Sequence, residues 1–279
     1  MNQNKLGIST YCYFYACGGY RRYPRLGYQP QPPVTPEWLI DKAVALGVQC
    51  VQISDNYDLQ GWSDERLRRL GEYAQYKKIS LELGLRGIQP ENLQRYLHMA
   101  HEMKVELLRC VIDAPGFEPD FDTIYRILHA VVPQLEQRHL LLGIENHDRF
   151  TTRQFADLIR RLNHPGIGML VDTVNSFATE ESPSAILHTL APCAVGLHVK
   201  DYTIARRTDA QGLVVKGTIA GKGRLDVPGF VREMRQKAQK KDFSVILESW
   251  MEPEAELNAT LCKEERWVQE SIAYLKQVL

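Results

Sequence analysis

Four residues of metal-binding type stand in four apolar runs. Glu145 lies in Leu140-Leu-Leu-Gly-Ile-Glu-Asn-His147, Asp172 closes Gly168-Met-Leu-Val-Asp172, His198 sits in Val195-Gly-Leu-His-Val-Lys-Asp201, and Glu248 closes Ser244-Val-Ile-Leu-Glu248. A continuous hydrophobic run of this length reads as a strand buried on both faces, and folds built on such strands carry their chemistry at the carboxyl ends. An ionised carboxylate there needs a partner, because burying it alone is costly. Two Glu, one Asp and one His form an oxygen and nitrogen set suited to one divalent ion. An ion so held acts as a Lewis acid on a bound oxygen, and a carboxylate beside it can serve as a general base.

The spacing supports convergence. Glu145 and Asp172 are 27 residues apart and Asp172 and His198 are 26 apart, each about one strand-plus-helix unit. The 50 residues from His198 to Glu248 accommodate such a unit and a long loop. His198 alone would read as a core histidine; its register with three carboxylates makes it a ligand. His147 follows Glu145 by two, on the same side of an ideal strand, and is a candidate substrate contact. Asn175, Lys200, Arg206 and Trp250 complete the expected substrate pocket: Asn175 for a hydroxyl, Lys200 for an enediolate or carboxylate, Arg206 (with Arg207) for an anionic tail, Trp250 as a wall. Asn146 is expected to position a neighbour. The remaining six histidines fall on helices or loops away from these strand ends. Gly221-Lys-Gly-Arg224 only loosely resembles a phosphate-cradling turn.

These residues require a scaffold that brings strands five to eight to one mouth. Apolar runs at 5–10, 48–54, 79–85, 105–111, 140–145, 167–171, 195–199 and 243–247 alternate with helical segments. The helices are expected from Thr35 to Leu46, Ser63 to Lys77, Pro90 to Met103, Asp120 to Gln137, Thr152 (as the cap) to Leu162, Pro183 onward, Pro228 to Gln239, and Cys262 to Val278. Eight strands and eight helices in strict alternation predict a single (β/α)8 TIM barrel over residues 1–279. A doubly wound sheet would show a glycine-rich turn after the first strand, and Gly7-Ile-Ser-Thr10 has none. Two connections are long: 11–34, rich in tyrosine, and 201–226. The first either covers the site, or makes a subunit contact in a homo-oligomer, or packs on its own barrel.

Lys plus Arg equals Asp plus Glu at 34 each, and no long basic run occurs, which argues against nucleic acid and membrane surfaces as partners. The amino terminus shows no signal pattern and no apolar stretch spans a bilayer. Six cysteines without a CxxC are expected to be free thiols of a cytoplasmic protein.

The pieces Gly143-Ile-Glu-Asn146, Val171-Asp-Thr-Val-Asn175, Leu197-His-Val-Lys-Asp201 and Ile246-Leu-Glu248 resemble the xylose-isomerase-like TIM-barrel superfamily of sugar isomerases and epimerases, most strongly from Leu140 onward. The resemblance implies that Glu145, Asp172, His198 and Glu248 hold one divalent ion, manganese first, with magnesium, zinc or cobalt as alternatives, and that Glu145 and Glu248 exchange protons with a small sugar or sugar-acid substrate. Many members carry histidine where this chain has Asn175. That difference bears on substrate class and counts against the multi-zinc DNA-repair branch. The Lys200-Asp201 pair and the loop through Gly223 are similar to members acting on oxidised sugars or sugar acids. The expected activity is therefore that of an isomerase or epimerase of a ketose or keto-polyol. Alternatives are a lyase decarboxylating a 3-oxo sugar acid and, less favoured, a non-catalytic sugar-binding barrel.

Overall fold

A computed structural model describes residues 5–238 and 240–279. The first four residues and Gln239, where the seventh helix was expected to end, lie outside the described residues. Eight parallel strands close into a barrel: β1 (Leu6–Ser9), β2 (Cys50–Ile53), β3 (Ser80–Arg86), β4 (Leu107–Val111), β5 (Leu141–Glu145), β6 (Ile167–Asp172), β7 (Ala194–Val199) and, after a two-stranded hairpin β8 (Asp201–Arg206) and β9 (Leu213–Thr218), β10 (Ser244–Leu247). β1 pairs with both β2 and β10, so the barrel strands leave no free edge. Most strand residues are buried, as the unbroken apolar runs required.

Helices on the outside are set by local signals. Thr35 accepts from the backbone N–H of Trp38 at the start of α1 (Pro36–Leu46), and Gly47 ends it at φ 61°. Ser63 caps α2 (Asp64–Tyr76), and Pro90 opens α3 (Pro90–Glu102). The segment expected as one helix from Asp120 to Gln137 is two, α4 (Phe121–Ala130) and α5 (Val132–Arg138), because Pro133 has no N–H to continue the first ladder. Thr151, not Thr152, caps α6 (Thr152–Leu162), in a capping box with Gln154. Thr152 is buried and donates its hydroxyl to Glu181 instead. After α7 (Pro183–Leu190), α8 (Val227–Lys237) is capped by Asp226. The last helix, α9 (Leu257–Val278), begins five residues before Cys262.

The tyrosine-rich connection is built against the barrel. Two short 3-10 turns, Gly19–Arg22 and Pro24–Leu26, carry Tyr20 and Leu26 onto a separate apolar cluster with Tyr15, Met251 and Leu257. Glu264 of α9 anchors it by accepting from the N–H groups of Tyr15 (2.8 Å) and Ala16 (3.1 Å). Within the described residues no helix is long and apolar enough to cross a membrane, and all six cysteines are free.

Candidate metal centre and its surroundings

The carboxyl ends of β5, β6, β7 and β10 bring Glu145, Asp172, His198 and Glu248 together. One ligand atom from each lies within 4.8 Å of all the others, and every one of these residues is buried. Register does this. Asp172 and His198 are direct neighbours on β6 and β7 because the pairing shifts between Met169 and Leu170, where Ala194 and then Gly196 are the partners. Without that irregularity His198 would fall one step out of line with Asp172, pointing to the other face.

His198 is the diagnostic residue. Its Nδ1 stands 3.5 Å from Glu145 Oε1 and 3.6 Å from Glu248 Oε1, and neither ring nitrogen has a hydrogen-bond partner among the described residues, although the residue is fully buried. Burial pushes the imidazole down, yet the carboxylates of Glu248 and Glu145 outweigh it and draw positive charge to the ring. A cation in the cluster meets the same electrostatic demand and gives Nδ1 a partner. The donor set and the orphaned nitrogens therefore fit a divalent ion.

The neighbours hold each carboxylate from a second direction. Asp172 Oδ1 accepts from the backbone N–H groups of Val174 and Asn175, both at 2.9 Å. Asn146 fixes the Asp172 backbone, accepting from its N–H at 2.7 Å and donating to its carbonyl at 3.0 Å. The Lys200 ammonium lies 2.9 Å from Asp172 Oδ2 and 3.0 Å from Glu248 Oε2; its salt-bridge partners are these two and not Asp201. Burial lowers this lysine, but Asp172, Glu248 and Glu145 raise it well beyond its ordinary value. Asn175 donates to Glu145 Oε1 at 2.8 Å and accepts from Lys200 at 3.3 Å. Ser9 donates to Glu248 Oε1 at 3.1 Å.

Arg109 of β4 joins the site with no motif along the chain to mark it. It is buried and its Nε donates to Glu145 Oε2, while Nη1 reaches Asp55 at 2.8 Å. Burial pushes Glu145 up, but Arg109, His198 and Lys200 hold it well below the usual carboxylate range. Asp55 is likewise held down, against its burial, by Arg109 and Arg86. A β-carbon on Gly84 would stand 3.2 Å from Arg109 Cδ, so that glycine leaves the guanidinium stem its space. The signal was a charged residue inside the apolar run Leu107-Leu-Arg-Cys-Val111; its partner, 36 residues on, is visible only in the fold.

Above the cluster opens a cavity of about 400 Å³. His147, Asn175, Lys200 and Trp250 line it, joined by Arg86, Phe177 and Tyr11 of the tyrosine-rich connection. His147 Nε2 is 3.1 Å from Arg86 Nη2. Arg206 is a correction: it is exposed at the outer end of β8 and outside this lining, because the expected loop is a hairpin that carries it away. The Gly221–Gly223 turn is already filled, since Asp201 accepts from the N–H groups of Gly221 and Gly223, both at 2.9 Å, leaving no anion cradle.

Comparison with known proteins agrees with the fold. The family profile described as xylose isomerase-like TIM barrel matches residues 40–278. A 3-oxo-isoapionate decarboxylase of Pectobacterium atrosepticum is 28% identical over 270 residues, 97% of this chain and 94% of the relative. Among solved structures, D-psicose 3-epimerase with D-fructose superposes at a TM-score of 0.70 with 14% identity, covering 99% of each chain. A xylose isomerase-like TIM barrel protein from Mycobacterium smegmatis in complex with magnesium superposes at 0.68 with 12% identity, covering 97% of each. The chain belongs to the xylose isomerase-like TIM barrel family.

Proposed function

We propose that this protein is a metal-dependent isomerase or epimerase of a small keto sugar, with Glu145, Asp172, His198 and Glu248 holding one divalent ion, manganese by preference. The observation that carries the reading is the buried meeting of these four side chains, with neither His198 nitrogen hydrogen-bonded among the described residues. A bound divalent ion supplies Lewis-acid polarisation of the ketone and its neighbouring hydroxyl.

The chain's own residues divide the remaining work. Glu145 is bound on Oε2 by the buried Arg109 guanidinium and on Oε1 by Asn175. Glu248 is held by the Ser9 hydroxyl on Oε1, with His198 Nδ1 3.6 Å away, and on Oε2 by the Lys200 ammonium, whose flexible stem can swing aside. Glu248 is thus the better placed to take a proton from the carbon beside the ketone and return it. Lys200 then faces the negative charge that develops on the substrate oxygen. His147 and Asn175 orient hydroxyls, and Trp250 with Phe177 keeps water from one side of the cavity.

A second reading, decarboxylation of a 3-oxo sugar acid, has its own support. Arg86, His147 and Lys200 line the cavity and suit a carboxylate, and the relative matched over nearly its whole length is named as a decarboxylase. Loss of CO2 leaves the same enolate, so the same residues serve. Incubating the manganese-loaded protein with keto sugars and 3-oxo sugar acids in deuterated water tests both readings. Solvent deuterium in an isomerised product supports the first, gas release supports the second, and neither on any substrate defeats both.

A further inference from the structure

A second cavity, of about 410 Å³, lies beside the first and shares Tyr11, Ser249 and Trp250 with it. Each is of the size a small ligand or a large part of one fills. The second is of different character. Its walls come from the tyrosine-rich connection and the segment after β10, chiefly Phe14, Tyr15, Tyr23, Leu26 and Met251. Phe14 is the hub: it stacks on Tyr11 at 6.2 Å and 10°, meets Tyr15 edge-on at 5.3 Å, and leans on Tyr23 at 6.1 Å. The one buried ionisable carboxyl in the lining, Glu264, already receives two backbone N–H groups, and burial raises it to about 8, so it offers no charge to a ligand at neutral pH. Arg25 and Glu252, both exposed, are the remaining charged residues of the lining. A compartment of ring faces and edges without a buried charge is built for a flat apolar group.

We propose that this second chamber binds a planar aromatic ring, carried as an aglycone on the sugar whose keto end occupies the metal cavity. The attachment to a sugar rests on the proposed carbohydrate reading; the ring site does not. The shared residues Tyr11 and Trp250 form the threshold between the two parts.

The test uses full-length, manganese-loaded protein and calorimetric titration with para-nitrophenol, then with para-nitrophenyl and methyl 3-oxo-β-D-glucosides. Para-nitrophenol should bind saturably at one site, without displacement by D-fructose. The aryl glucoside should bind about tenfold more tightly than the methyl glucoside. Leu26→Trp, which fills the chamber, and Tyr23→Ala, a half-exposed position, should each erase most of that difference while leaving manganese binding intact. Absence of saturable para-nitrophenol binding, or binding unchanged in both variants, overturns the ring site. Ring binding with equal affinity for the two glucosides overturns the aglycone. Metal-dependent turnover of simple keto sugars is read separately, so its failure bears on the carbohydrate reading alone.

Discussion

Arg109 and Glu145 are joined by a salt bridge in which both side chains are almost completely withdrawn from water, at 2% and 0% exposure. The pair sits at the junction of barrel interior and metal cluster, with Asp55 as the second carboxylate on the same guanidinium. Such a pair stabilises weakly as a unit, but its halves are expensive alone.

Replacing Arg109 with Met should therefore destabilise the protein by about 3–5 kcal/mol, the usual cost of leaving a buried charge without its partner. Combining Arg109→Met with Glu145→Gln should recover a substantial part of the loss. Chemical denaturation of the single and double variants checks this; additive losses would show that the two residues are not coupled.

Acid should release the same network. Glu145 and Asp55 have folded values below their unfolded ones, so the stability they contribute is present above about pH 4.5 and is lost as the pH falls through the depressed folded values. Glu264 acts in the opposite sense. Burial lifts it to about 8 from an ordinary 4.5, so its contribution is complete below about pH 4.5 and drains away as the pH rises to about 8. The slope this single group adds is at most about 1.4 kcal/mol per pH unit. Glu264→Gln should flatten the melting-temperature profile across that interval; an unchanged profile would mean that Glu264 is ionised throughout.

Lys200 separates the two catalytic readings. Lys200→Met should raise KM for a sugar-acid substrate about tenfold or more while leaving KM for a neutral ketose close to wild type, since a charge-assisted contact contributes about 1.5–3 kcal/mol. Equal effects on both substrate classes would assign Lys200 to the metal cluster rather than to a carboxylate.

Glu248→Gln should lower turnover by about two to four orders of magnitude with the fold retained, as expected when a proton-transfer group is removed. Glu145→Gln should act at least partly through metal affinity. A Glu248→Gln variant that exchanges substrate protons with solvent at the wild-type rate would refute the assignment.

Much of this site was legible along the chain because parallel strands buried on both faces cannot alternate, so Glu145, Asp172 and Glu248 stand out at the ends of apolar runs. Arg109 and Asp55 were harder: each is meaningful only through a partner delivered by another strand. The β8–β9 hairpin lies inside a long connection with no local mark of its pairing, and it puts Arg206 at an exposed end away from the cavity lining. The Gly221–Gly223 turn resembles a phosphate cradle only loosely along the chain, and the fold fills it: Asp201 occupies its amides.

The account depends most on the ion itself. Titrating metal-stripped protein with manganese, followed by calorimetry and paramagnetic resonance, should show one ion per chain, with binding abolished or weakened at least a hundredfold in Asp172→Ala and His198→Ala. Retention of wild-type affinity in both variants, or no binding by the unaltered protein, would contradict it.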